Sequence, residues 1–157
     1  MKQVIKKLYF AYGSNMSQER LESRVGKVEK IQIIVLPYWK LAFNCGKPDR
    51  RFANIVMTGN YQDSVEGVMY ELTTRQMKNL DGFEGHPYFY QKLAIPLRDG
   101  RTMYAYVSFN PQYIPHPDVK VDAEYTSHLL RGCMENKLYS TLNLLRQYRD
   151  EGLVLFP

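Results

Sequence analysis

Lys7-Leu8-Tyr9-Phe10-Ala11-Tyr12 runs without interruption into Gly13-Ser14-Asn15-Met16 (KLYFAYGSNM, residues 7–16). The first six residues read as a strand, and Gly-Ser-Asn supplies residue types that tolerate tight or left-handed backbone. The polar segment from Ser17 to Arg24 is compatible with a helix, so the chain opens as strand, loop and helix. An apolar strand that ends so abruptly can present several backbone N–H groups together, a concave set of donors suited to an anion or oxyanion. The same residues also suit a plain strand-to-helix turn, and local sequence leaves both readings open.

Ile31 to Asn44 is β-branched and aromatic but interrupted by Pro37, which predicts a bent or edge strand pair. Ala53–Thr58 and Val65–Leu72 read as further strands, with Gly59, Asn60 and Asp63 in the turn between them. Thr73 and Thr74 can cap a short helix over Arg75–Leu80 that ends at Asp81-Gly82 and delivers Glu84. Tyr88–Leu97 and Thr102–Phe109 are expected to form a hairpin about Arg98-Asp99-Gly100. After the proline-rich loop Pro111–Pro117, Ala123–Glu135 and Leu138–Arg149 read as helices, the second with Leu138, Leu142, Leu145 and Tyr148 on one face. The predicted class is α+β: a small, mostly antiparallel β-barrel or curved sheet with peripheral helices.

A chain of 157 residues fits a single domain spanning 1–157, and 45% hydrophobic with 24% charged residues match average globular usage and favour neither disorder nor a fibrous repeat. No apolar run approaches the roughly 20 residues of a membrane span, and Met1–Lys7 lacks a signal-peptide stretch. The expectation is a soluble cytoplasmic protein with no membrane partner. Cys45 and Cys133 are too few for a disulfide framework or a four-cysteine zinc site, and are expected as reduced structural thiols. The net charge of +5 specifies no partner, whereas thirteen tyrosines suit a sheet protein with a polar cavity or an aromatic platform.

Phosphate-loop, dinucleotide, HExxH and paired CxxC motifs are absent, so no cofactor or metal is expected. His86, His116 and His128 lack the spacing of a metal site and read as surface or hydrogen-bonded residues. Ser14 lacks a GxSxG context and reads as a binding group or turn stabiliser rather than a nucleophile. Glu84 lies in Leu80-Asp81-Gly82-Phe83-Glu84-Gly85-His86-Pro87, where flanking glycines and aromatics could desolvate a carboxylate and raise its pKa. A solvated loop glutamate is the alternative.

Four signatures occur together: Tyr9–Met16 (YFAYGSNM), Val65–Leu72 (VEGVMYEL), Leu80–Gly85 (LDGFEG), and Tyr125 with the helix that reaches Gly132 and Leu138. In this order they resemble the γ-glutamylcyclotransferase-like superfamily, over about Leu8 to Leu145. The resemblance implies the family's small mixed barrel. It also implies that Tyr12, Gly13, Ser14 and Asn15 hold a substrate's γ-glutamyl end, that Glu84 is the catalytic acid/base, that Tyr125 contacts substrate, and that Tyr90 supports the site. The implied reaction cyclises a γ-glutamyl amide to 5-oxoproline with release of an amine, and needs no cofactor. The small-molecule substrate could be glutathione, a γ-glutamyl amine such as an ε-linked lysine, or a pathway intermediate, the amine side being contacted by Cys45–Arg51 and Asn110–Val119. The protein is expected as a monomer or homodimer. A non-catalytic nucleic-acid module using Lys47, Arg50, Arg51 and exposed tyrosines is the rival reading, against which the mixed charge pattern argues.

Overall fold

A computed structural model describes residues 5–110 and 113–157. The opening strand β1 (Lys6–Ala11) lies in the middle of a five-stranded sheet of order β2-β5-β1-β7-β6. It pairs antiparallel with β5 (Ser64–Thr73), from Lys6 opposite Thr73 to Ala11 opposite Val68, and parallel with β7 (Thr102–Val107). A strand covered on both faces reads as a continuous apolar run rather than an alternation. Leu8, Tyr9, Phe10 and Ala11 are accordingly all buried, as are Val68, Met69 and Tyr70 on β5. Gly67 permits this close fit, because a Cβ there would stand 2.3 Å from Phe10 Cε2 and 2.5 Å from the Ala11 carbonyl oxygen.

The edges are β2 (Glu29–Pro37) and β6 (Gln91–Pro96), the latter joined to β7 by the expected tight turn, where Gly100 has φ +90°. Pro37 ends β2, and Tyr38, at φ +74°, turns the chain into β3 (Trp39–Lys47). The expected bent strand pair is thus a corner between two sheets. β3 and β4 (Arg50–Met57) form a separate two-stranded sheet. The strands are mostly antiparallel and ringed by helices, as the sequence predicts, but they make two sheets rather than one closed barrel.

Helix α1 (Gln18–Val25) starts at Ser17, whose hydroxyl accepts from the Arg20 N–H, and stops at Gly26. Thr73 caps α2 (Thr74–Glu84) reciprocally with Gln76, at 3.0 and 2.9 Å. The sequence reading ended this helix at Asp81-Gly82; instead it runs on to Glu84 and is capped by Gly85 at φ +66°. Gly82 faces open space, so it costs about 1 kcal/mol of helix propensity but breaks nothing. Conversely, the strand predicted from Tyr88 begins only at Gln91. Helices α3 (Ala123–Asn136) and α4 (Tyr139–Asp150) match expectation within a residue or so, with Leu142 and Leu145 buried. Pro111, at the head of the proline-rich loop, lies with Gln112 outside the described residues. Both cysteines are buried free thiols, and burial pushes Cys45 up to about 11 and Cys133 to about 12. No helix among the described residues is long and apolar enough to cross a membrane.

Candidate active site

A cavity of about 370 Å³ opens where the loop after β1, helix α1, the tip of the β3–β4 hairpin and the end of α2 converge. The loop is a single 3-10 turn over Ser14–Met16, closed by the Met16 N–H on the Gly13 carbonyl at 3.0 Å. No residue from Tyr12 to Met16 has positive φ, so the loop is tight without being left-handed. The N–H groups that open such a turn have no partner within it. Gly13, at φ −111° and ψ −139°, avoids the left-handed region, and its missing side chain leaves to the cavity the space between Ala53 Cβ and the Tyr125 hydroxyl, each 3.4 Å from where a Cβ would sit.

Glu84 is the last residue of α2, with its side chain 14% exposed. Asn15, itself 3% exposed, donates from Nδ2 to Glu84 Oε1 at 3.1 Å and to the Tyr9 hydroxyl at 3.0 Å. Arg24 Nη1 stands 3.9 Å from the same carboxylate oxygen. Burial nevertheless dominates, raising Glu84 from the ordinary 4.5 to about 7 against the lowering pull of Arg24, Arg20 and the Asn15 bond. Its place at the partially negative end of α2 opposes ionisation in the same sense. The solvated-loop alternative is therefore wrong: this is a sheltered carboxyl poised to exchange a proton near neutrality.

The remaining expected residues line the same cavity. Ser14 Oγ accepts from Arg20 Nε at 3.4 Å, and among the described residues no histidine or carboxylate is bonded to it. Tyr12 commits its hydroxyl to the Tyr106 carbonyl, while Tyr106 in turn donates to Asp81, which Lys92 neutralises at 3.0 Å. Tyr90 and Tyr125 converge on one backbone residue. A register shift between Ala42 and Cys45 makes a bulge that leaves Ala53 outside the β3–β4 ladder. The Ala53 N–H donates to the Tyr125 hydroxyl at 3.1 Å, and its carbonyl accepts from the Tyr90 hydroxyl at 2.6 Å. Tyr125 keeps its own hydroxyl proton available, whereas Tyr90, which also accepts weakly from Cys45 at 3.6 Å, is fully engaged. The two tyrosines thus hold the cavity wall through the two backbone groups of Ala53.

The histidines are hydrogen-bonded side chains: His86 Nδ1 accepts from the Lys92 N–H, His116 faces Asp118, and His128 stands 3.2 Å from both Arg20 and Glu124. Of the two segments expected on the amine side, Cys45–Arg51 supplies Lys47 and Arg50 to the cavity, and Asn110–Val119 approaches through Tyr113, whose ring packs 4.8 Å from Phe89. Sequence reasoning missed Arg20 and Arg24, although their four-residue spacing directly behind Gly-Ser-Asn places both on one helix face. Tyr9 and Ala53 were missed as well.

Fold and site together define a mixed α+β protein with a sheltered glutamate facing the Gly-Ser-Asn loop across one cavity. The chain belongs to the gamma-glutamyl cyclotransferase, AIG2-like family, whose profile matches residues 9–127. Among solved structures, a gamma-glutamyl cyclotransferase is 26% identical at TM-score 0.65, covering 85% of this chain and 82% of that one. An uncharacterized Homo sapiens protein is likewise 26% identical at TM-score 0.62, over 83% and 80% of the two chains. A yeast gamma-glutamyl cyclotransferase specific to glutathione shares the fold at TM-score 0.59 and 11% identity, over 91% and 96%. No curated protein matches the sequence.

Proposed function

We propose that this protein cyclises a γ-glutamyl amide to 5-oxoproline and releases the amine, with Glu84 as general acid/base. The observation that carries this reading is the 3.1 Å bond from Asn15 to Glu84, which joins the Gly-Ser-Asn loop to the glutamate of a separate motif inside one cavity. A γ-glutamyl amide contains its own nucleophile, the α-amine, and closing a five-membered ring gives the reaction a large proximity advantage. Glu84 takes a proton from the α-ammonium, and the freed amine attacks the γ-carbonyl carbon. Backbone N–H groups of the Tyr12–Asn15 loop stabilise the developing oxyanion. The carbonyl–nitrogen bond to the departing amine then breaks as Glu84 returns the proton to it, and the ring nitrogen passes its surplus proton, again through Glu84, to the released amine, so that a neutral lactam and an ammonium result.

The experiment is 5-oxoproline release from a panel of γ-glutamyl amino acids, γ-glutamyl amines and glutathione. Release from at least one member is expected; none across the panel overturns the reading. The pH profile is a second check. Glu84 must be ionised to accept the ammonium proton, so kcat/KM is expected to fall toward acid pH with a midpoint near its pKa of about 7. A profile that stays flat down to about pH 5.5 contradicts the assignment of the base.

A further inference from the structure

The Asn15 side chain is hydrogen-bonded through one end only. Its Nδ2 donates to Glu84 Oε1 and to the Tyr9 hydroxyl, whereas its Oδ1 is buried and has no hydrogen-bond partner among the described residues. A buried amide paired in this way is placed only as firmly as the groups that hold its paired end. Glu84 cannot be the fixed point, because its carboxyl gains and loses a proton in the proposed reaction. Tyr9 can. It lies on β1 in the middle of the five-stranded sheet, directly opposite Tyr70, and it is buried. Its ring packs at 6.4 Å from that of Tyr70 and edge-on at 5.8 Å from that of Tyr106.

We propose that Tyr9 is a positioning residue for the reaction, tying the Asn15 amide to the centre of the sheet so that it stays hydrogen-bonded to Glu84 in both of that residue's protonation states. This rests on the cyclotransferase reading and adds to it a residue that acts behind the acid/base, through Asn15. A phenol both donates and accepts, and a carboxamide offers N–H at one edge and a carbonyl oxygen at the other. With Glu84 ionised, the amide gives one N–H to the carboxylate at 3.1 Å and the other to the Tyr9 oxygen at 3.0 Å. With Glu84 protonated, a half-turn of the amide about its Cβ–Cγ bond brings Oδ1 to the place of Nδ2, where it accepts from the Glu84 O–H and the Tyr9 O–H together. Tyr9 donates to no other described residue, so its proton is at hand for that second arrangement.

No other titratable group about Glu84 serves in this way. The cations that face it, Arg24 and Arg20, belong to α1 and can only donate. Burial keeps the hydroxyls of Tyr12, Tyr90, Tyr106 and Tyr125 and the Cys45 thiol protonated, and each is already bonded to another partner. Burial likewise holds the Tyr9 phenol well above its ordinary value, so it remains neutral while Glu84 titrates.

Tyr9→Phe deletes the hydroxyl and keeps the ring packing. It is expected to lower kcat by about 10-fold, the scale of one buried hydrogen bond, and to leave KM within about 2-fold of wild type. The acid limb of kcat/KM should move upward by roughly 0.5 in pH, because the ionised carboxylate loses a firmly oriented donor. In an Asn15→Ala background the same substitution should cost nothing further. A wild-type kcat and acid limb in Tyr9→Phe, or a further loss of the same size on top of Asn15→Ala, overturns the proposal. A carbon-13 NMR titration of the Glu84 carboxyl without substrate separates it from the reading it rests on. If the midpoint rises in both Tyr9→Phe and Asn15→Ala while wild type releases no 5-oxoproline, the hydrogen-bond chain stands and the reaction falls. Release with an unmoved titration does the reverse, and the absence of both removes both.

Discussion

Glu84→Gln is expected to lower 5-oxoproline release by about 10³-fold, within the span of losing one general acid/base. The substitution keeps the side chain's shape, and the new amide oxygen can still accept from Asn15 Nδ2, so substrate binding should survive while turnover does not. Turnover close to wild type on the preferred substrate would sink the mechanism. The same variant carries a stability signature of opposite sign. Because the folded state holds the Glu84 proton up to about pH 7, against an ordinary 4.5, this group's contribution to stability is fully present below about pH 4.5 and is lost as pH rises through 7. At about 1.36 kcal/mol per pKa unit the loss is bounded near 3 kcal/mol. Glutamine has no proton to lose, so thermal melts should show Glu84→Gln more stable than wild type at about pH 8, with the advantage gone near pH 4.5. Equal melting at both pH values would mean that the carboxyl is not held protonated by its surroundings.

Gly132→Ala is expected to cost about 2–3 kcal/mol, or a fall in Tm of roughly 5–10 °C for a chain of this length. The helical position by itself would favour alanine by about 1 kcal/mol, so propensity predicts the opposite sign. What decides is the approach of α3 to the loop: a Cβ at Gly132 would stand 2.5 Å from Met16 Cβ, 2.8 Å from the Met16 carbonyl carbon and 2.9 Å from the Ser17 nitrogen. Two of these are backbone atoms that cannot swing aside. The displaced segment is the turn that carries Asn15, so activity should fall together with stability. A variant as stable as wild type would show that α3 can retreat without cost.

Much of this arrangement was legible in the sequence because it rests on local signals. The strand ending in Gly-Ser-Asn, the hairpin about Gly100 and both C-terminal helices follow from periodicity and turn chemistry. Glu84 as a candidate came from the co-occurrence of motifs, since its own surroundings did not separate it from a solvated loop residue. The error at Asp81-Gly82 arose because a glycine pattern cannot say whether the helix face it occupies is exposed, and here it is. Ala53 gave no signal, for its importance lies in two backbone groups that a bulge releases and two distant tyrosines take up. Arg20 and Arg24 needed the cavity to be seen before their shared face acquired a meaning.

The division into two sheets separates the parts of the site that can change from those that cannot. Glu84 and the Gly-Ser-Asn loop hang from elements of the five-stranded sheet, whereas Lys47 and Arg50 belong to a hairpin that shares no ladder with it. Side-chain ties hold the hairpin in place instead, among them Arg51, which donates to the carbonyls of His116 and Val119. Residues at the hairpin tip can therefore be exchanged without re-registering a single strand of the larger sheet. Seen as an engineering problem, one wall of the cavity sits on a replaceable part, and a grafted β3–β4 tip would reshape that wall with Glu84 and the Gly-Ser-Asn loop left untouched.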